Sequence, residues 1–351
     1  MELQKNKIVL PIKLGIDPME RLLVADFKGD PEYTGLEPQL FNDPVNGRGM
    51  RILRYRKDQK VDVYWQKGVN VDMNNILIGA GVGDFAETVM EPACFEITDK
   101  GVNVNCAFTD AQNRKVELII KENSTKPSRF PFLAPVGRDI ENPRRFFLVN
   151  MLDFDFVRKK GTIVEAKIGD RKLYPESFPM LRNFQKVLFI RYSALPIVGT
   201  LNPYMDSPLI FDADAPGSVE IDGTTIFVDE NHRITRLSIG ENLRKVEMNF
   251  LPAYPNLANI SDGESRSGLW NIKMSGSDIT GGSYSLSREG NLIKAEIDVT
   301  ENWKPQGVPL SLKIFILFLS WFRTWPTTYR WRGTIDIANN FSMIGRWERK
   351  K

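Results

Sequence analysis

The chain has 351 residues, with 47 Lys and Arg against 44 Asp and Glu, and it is 42% hydrophobic and 26% charged. That balance excludes a disordered chain and a protein drawn to nucleic acid by whole-surface charge, and it can fill a core without metal or disulfides. Two cysteines, Cys94 and Cys106, exclude a disulfide framework and a four-cysteine zinc site, and the single histidine, His232, excludes a multi-histidine centre, so no metal or cofactor is expected.

The opening MELQKNKIVLPIKLG lacks the basic-then-apolar run of a signal peptide, which predicts a cytoplasmic protein. KVDVYWQ, from Lys60 to Gln66, alternates apolar and polar residues as a half-buried strand does. GAGVGD, Gly79 to Asp84, has the look of a dinucleotide loop. Asp84 stands where the last glycine belongs and would set a carboxylate beside a pyrophosphate, so the segment reads as a turn between strands. Asp84 and Glu87 are nonetheless the candidate catalytic carboxylates, because paired acids carry general acid–base chemistry.

The next segment repeats. FTDAQNRKVELIIKEN (Phe108 to Asn123) and FVDENHRITRLSIGEN (Phe227 to Asn242) agree at seven of sixteen positions without a gap. LPIKLGIDP and LPIVGTLNP, FEI and VEI, and GTIVEAKIGDRKLY and GNLIKAEIDVTENW follow in the same order. The order predicts an internal duplication into a first domain, 1–194, with an insertion near 25–90, and a second, 195–351. Both copies read as β-hairpins, with Leu118 and Ile120, then Leu237 and Ile239, at a period of two behind polar turns. His232 falls in one of those turns, where Asn113 is its counterpart.

From Pro179, Leu181, Phe184 and Leu188 recur at helical spacing with polar residues between, which predicts an amphipathic helix. DADAPG, Asp212 to Gly217, begins like a calcium loop, but Pro216 and Gly223 occupy positions that should hold ligands, so a polar turn is expected. PLSLKIFILFLSWFRTW, Pro309 to Trp325, also predicts a helix. It is apolar nearly all round, and its longest unbroken run is far short of the roughly 20 residues that span a bilayer. TYRWRGTIDI then puts Tyr329, Trp331, Gly333 and Ile335 on one side of a strand and the arginines on the other, and Asn339 and Asn340 turn into a closing hairpin. From Ser311 to the end, eight basic residues oppose Asp336 and Glu348, a local charge of +6.

Many short strands punctuated by 26 Gly and 21 Pro predict an all-β protein of two tandem antiparallel domains, lipocalin-like barrels or sandwiches, each with a short helix. A barrel of this size encloses one small ligand. The expected function is binding, with conversion left open, of a hydrophobic small molecule such as a lipid or isoprenoid, with Trp270, Trp321, Trp325, Tyr329 and Trp331 at the ligand. The outward apolar face of the 309–325 helix needs a cover, and the expectations in order are the other half of the protein at a domain interface, a place as wall or lid of an apolar ligand cavity, and a peripheral membrane contact. The alternatives are a carboxylate-based hydratase, isomerase or glycosidase, and a carbohydrate-binding or structural β protein. No nucleic-acid partner is expected, since the aromatic and basic residues of the last strands face opposite ways.

Overall fold

Alternating apolar residues separated by short polar turns leave each strand one face to bury, and the backbone answers with antiparallel sheets. A computed structural model of the chain describes residues 7–73, 76, 80–123, 128–135, 141–182, 184–213 and 216–350. The protein is mostly β and divides into two compact units. One holds Pro18–Phe132 and Met151–Pro196; the other holds Met1–Asp17, Leu133–Asn150 and Ile197–Lys351.

In the first unit, strand Arg21–Lys28 is a branch point. On one side the sheet continues through Tyr33–Asp43, Gly47–Arg56 and Val61–Trp65 to a parallel edge strand, Val82–Glu87. On the other, the end of Arg21–Lys28 pairs with Arg171–Pro175, and the arm runs on through Thr162–Ile168, Lys115–Glu122 and Gly101–Thr109 to Ala93–Thr98. The core lies between the arms: Val116, Leu118 and Ile120 face inward opposite Phe108, Cys106 and Val104 and pack with Leu36, Ile52 and Tyr64. Cys106 is buried, Cys94 is half-buried, and both are free thiols.

The second unit is built on a nine-stranded meander in which each strand pairs with the next. Its strands are Gly217–Ile221, Thr224–Val228, Ile234–Ile239, Val246–Tyr254, Ser265–Met274, Ser277–Glu289, Leu292–Glu301, Tyr329–Asp336 and Ser342–Arg349. Met248, Trp270, Tyr284, Ile297, Trp331 and Trp347 line its buried face.

Three sequence expectations change. The sheets are not closed barrels: among the described residues Gly217–Ile221 pairs only with Thr224–Val228, and Ser342–Arg349 only with Tyr329–Asp336. The second correction is to the helix predicted from Pro179. Ser177–Arg182 and Gln185–Ser193 form a hairpin, with Phe184 at its tip at φ 62° and 99% exposed. Val187, Leu188, Ile190 and Tyr192 are buried, and β-branched and aromatic residues favour a pleated surface. Arg182, assigned by helical spacing to a watery face, is buried over the Phe130 ring and donates to the Ser128 carbonyl.

The third concerns the duplication. The repeated segments do share a local structure. Asp110 Oδ1 accepts from the backbone of Gln112 and Arg114, and Asp229 Oδ1 from that of Asn231 and Arg233. In each turn the arginine Nε returns to the aspartate, at 2.9 and 2.8 Å, and Asn113 and His232 take the same left-handed φ, 58° and 57°. Ala93–Thr98, Gly101–Thr109 and Lys115–Glu122 thus match Gly217–Ile221, Thr224–Val228 and Ile234–Ile239 as three-stranded meanders. Beyond them the connections differ. Lys115–Glu122 goes on to pair with the distant Thr162–Ile168, whereas Ile234–Ile239 pairs with the next strand, so duplication of whole halves is not shown.

Trp331 sits on a trough made by two glycines, Gly333 on its own strand and Gly345, the cross-strand partner of Gly333. A Cβ at Gly345 would lie 2.5 Å from Cζ2 of the indole. Gly345→Ala is therefore expected to destabilise the protein by about 1–3 kcal/mol through overpacking. Urea unfolding measures it, and an unchanged midpoint would contradict the packing described.

Candidate functional site

The meander carries a cleft on its outer side. Asn249 and Asn271 are cross-strand partners, as are Leu251 and Leu269, so all four share one face, while Phe250 and Trp270 between them point to the buried side. A register shift at Ile272/Lys273 and another at Gly281/Gly282 bend the neighbouring strand where it passes the cleft, as bulges do. Gly281 is required there, because a Cβ would meet the Trp270 carbonyl at 2.6 Å. The segment leaving Leu292–Glu301 closes the far side with Glu301, Asn302, Lys304 and Gln306, and the cleft measures about 350 Å³.

Its chemistry is divided. Leu251 and Leu269 are 73% and 56% exposed, an apolar pair held open to water. Beside them Asn249 Nδ2 donates to Asn271 Oδ1 at 3.2 Å, and Asn271 Nδ2 donates to Asp278 Oδ1 at 2.9 Å, so this polar wall is pre-oriented. Thr280 Oγ1 donates to the Glu301 carbonyl at 2.8 Å and fixes the start of the closing segment. The Glu301 carboxylate, the Lys304 ammonium and the Gln306 amide have no side-chain partner among the described residues.

Of the ligand residues expected from sequence, Trp270 lines this cleft from beneath, with its indole N–H given to the Ser283 carbonyl at 3.0 Å. The other aromatics lie elsewhere. Tyr329, Trp331 and Trp325 are buried in packing: Phe146 stacks on Trp347 at 4.9 Å and touches Trp325 and Tyr329. Trp321 is half-buried and stacks on Phe322 at 3.8 Å. Reading the sequence for aromatics missed Leu251, Leu269, Glu301 and Lys304. The available signal was two leucines in the polar phase of their strands, in VEMNFLPAY and SGLWNIKM.

Asp84 and Glu87 are not brought together. Three apart on one strand, they point to opposite sides, and Glu87 is exposed at the strand end. Asp84 joins a buried cluster around Arg54, whose guanidinium is fully enclosed between the rings of Tyr33 and Tyr64, 4.5 and 4.8 Å away. Arg54 reaches Asp62 and Asp110 at 3.0 Å each and Asp84 at 3.6 Å. Tyr33 donates to Asp62, and Tyr64 and Gln112 donate to Asp84. Arg114 extends the cluster to Glu32, which Arg171 also grips. Burial pushes both phenols, Tyr33 and Tyr64, well above their ordinary range. Burial alone would raise Asp110 as well, but the Arg114 backbone N–H and the Arg54 and Arg114 guanidiniums outweigh it and hold the carboxyl low. Every carboxylate here is turned inward on a cation, an arrangement that ties strands together.

Of the earlier motifs, Gly79 of the glycine-rich segment and Asp214 of DADAPG lie outside the described residues. Comparison with protein-family models, curated proteins and solved structures finds no match for this chain.

Removing the buried Arg54 guanidinium takes a shared cation from Asp62, Asp84 and Asp110, and Arg54→Ala is expected to cost about 3–5 kcal/mol at neutral pH. Arg54 helps hold the Asp110 carboxyl low, so that part of the deficit should be lost as pH falls and Asp110 protonates; a deficit independent of pH in denaturant titrations would contradict the charge balance at Asp110. Glu32 makes its own pH signature. Its hydrogen bonds with Arg114, reinforced by Arg171, hold its pKa down from 4.5 to about 2. A lowered carboxylate pKa adds stability that is complete above the unfolded value and is lost as pH falls through the folded one. Wild type should therefore exceed Glu32→Gln in stability at neutral pH and converge with it between pH 4.5 and about 2. Parallel unfolding curves across that window would refute the assignment.

Proposed function

We propose that this protein binds a small amphiphilic molecule in the outer cleft of the nine-stranded meander. The observation that carries the reading is the exposed Leu251/Leu269 pair lying against the unpartnered Glu301, Lys304 and Gln306 side chains. An apolar body laid over the leucines removes their area from water, which contributes about 25 cal/mol per Å². A polar head beside Asn271, Glu301 and Lys304 then meets donors and acceptors of both signs, and the Asn249–Asn271–Asp278 chain holds them in place without further ordering cost. The volume suits a compact ligand, at the small end of the roughly 300–1,000 Å³ of typical sites. The reading keeps the ligand class expected from sequence and moves it from a barrel interior to the sheet's outer face.

Native mass spectrometry of freshly purified protein, followed by titration with a fatty acid and a lysophospholipid, tests it. One of these probes should bind the wild type at 1:1. Leu251→Asp/Leu269→Asp should weaken that binding at least about tenfold, or about 1.4 kcal/mol, without loss of fold, because both side chains are already exposed. Equal affinity in the double variant, or affinity for neutral sugars alone, would defeat the proposal.

A further inference from the structure

The helix Leu310–Phe318 turns an apolar face to water. Leu312 and Ile316 are buried, while Leu310, Ile314, Leu317 and Phe318 are 75%, 47%, 58% and 84% exposed. At about 100° per residue these four occupy an arc of about 100° on the side away from Leu312 and Ile316. Lys313 lies about 40° beyond one edge of that arc and Ser311 just beyond the other. Single exposed leucines are ordinary on protein surfaces; four large apolar side chains on one helical stripe are not.

The charges around the stripe indicate its partner. Between Glu301 and Asp336 the sequence has no acidic residue and five basic ones, Lys304, Lys313, Arg323, Arg330 and Arg332. Arg330 and Arg332 are neutralised by Glu348 and Glu296. Lys304, Lys313 and Arg323 form no salt bridge among the described residues, and both lysines are exposed. Trp321 and Phe322 stack just past the helix end, where an amphipathic ring sits well at a headgroup boundary. No helix among the described residues is long and apolar enough to cross a bilayer.

We infer that this face docks the protein on an anionic lipid bilayer, with the stripe in the acyl boundary and Lys313 and Arg323 at the phosphates. Joining two copies through the same helix would bring like-charged collars together; an anionic surface answers both the apolar stripe and the cations. The inference stands apart from the cleft, since none of the stripe residues lines it.

Co-sedimentation of the full chain with extruded vesicles tests it, comparing pure phosphatidylcholine with a mixture containing phosphatidylserine. Wild type should sediment with the anionic vesicles about tenfold more tightly than with neutral ones, and salt should weaken the binding. Leu317→Glu/Phe318→Glu, both exposed and therefore tolerated by the fold, should abolish it, and Lys313→Glu should weaken it. Leu251→Asp/Leu269→Asp should sediment like wild type, which separates this surface from the cleft. Folded wild type remaining in the supernatant would overturn the inference. So would unchanged sedimentation of the Leu317/Phe318 variant, or a dimer dissolved by Phe318→Glu in protein that ignores vesicles.

Discussion

A nine-stranded meander has one face to fill, and every other feature of its unit answers that constraint. Alternation sends each second side chain inward, so the bulk of each inward residue has to match its neighbours. Trp331 meets the requirement by lying across Gly333 and Gly345, where side chains on adjacent strands would otherwise collide with the ring. Trp347, one strand over, gives its N–H to the carbonyls of Leu201 and Asn202 and its face to Phe146. Each buried indole removes roughly 200 Å² from water, on the order of 5 kcal/mol as an upper bound. The aromatics of the C-terminal strands are thus absorbed by packing.

In the other unit, register is held by charge. Arg54 and Asp62 are cross-strand partners, and Asp110 comes from the tip of a hairpin in the opposite arm. A slip of one residue would turn Arg54 into the apolar cluster of Leu53, Val61 and Val63 and take from the aspartates their shared cation, so this ion cluster specifies one pairing. A second cluster follows the same logic. Arg158 is fully buried, bridges to Asp155, and receives Glu122, whose carboxyl burial pushes upward. Burying such groups costs several kcal/mol each, and the Coulombic return depends on complete hydrogen bonding. Their contribution lies in specificity more than in net stability.

The surfaces read as functional are places where the pattern departs from what packing requires. Leu251 and Leu269 are apolar in the polar phase of their strands, and Leu310, Ile314, Leu317 and Phe318 are apolar on the outward side of a helix whose inner side is already satisfied. Both features belong to the same unit, and the closing segment of the cleft, Glu301 to Gln306, leads within a few residues into the helix. The proposed amphiphile cleft and the proposed lipid-facing helix are compatible chemistries in one unit.

The all-β class, the helix near 309–325 and the polar turns around Asn113 and His232 were legible in the sequence, because strand alternation and turn chemistry are local. The sequence also sorted Tyr329, Trp331 and Ile335 correctly onto one buried face. It misjudged 177–193, where helical spacing and strand alternation compete over a short run and the contacts of Arg182 decided for a hairpin. Long-range packing alone set the sheets open, turned Asp84 to a buried arginine while Glu87 faces away, and brought Glu301 and Lys304 to Leu251 and Leu269. Those outcomes depend on which strands become neighbours, and neighbours far apart in the chain leave no periodic mark in the sequence.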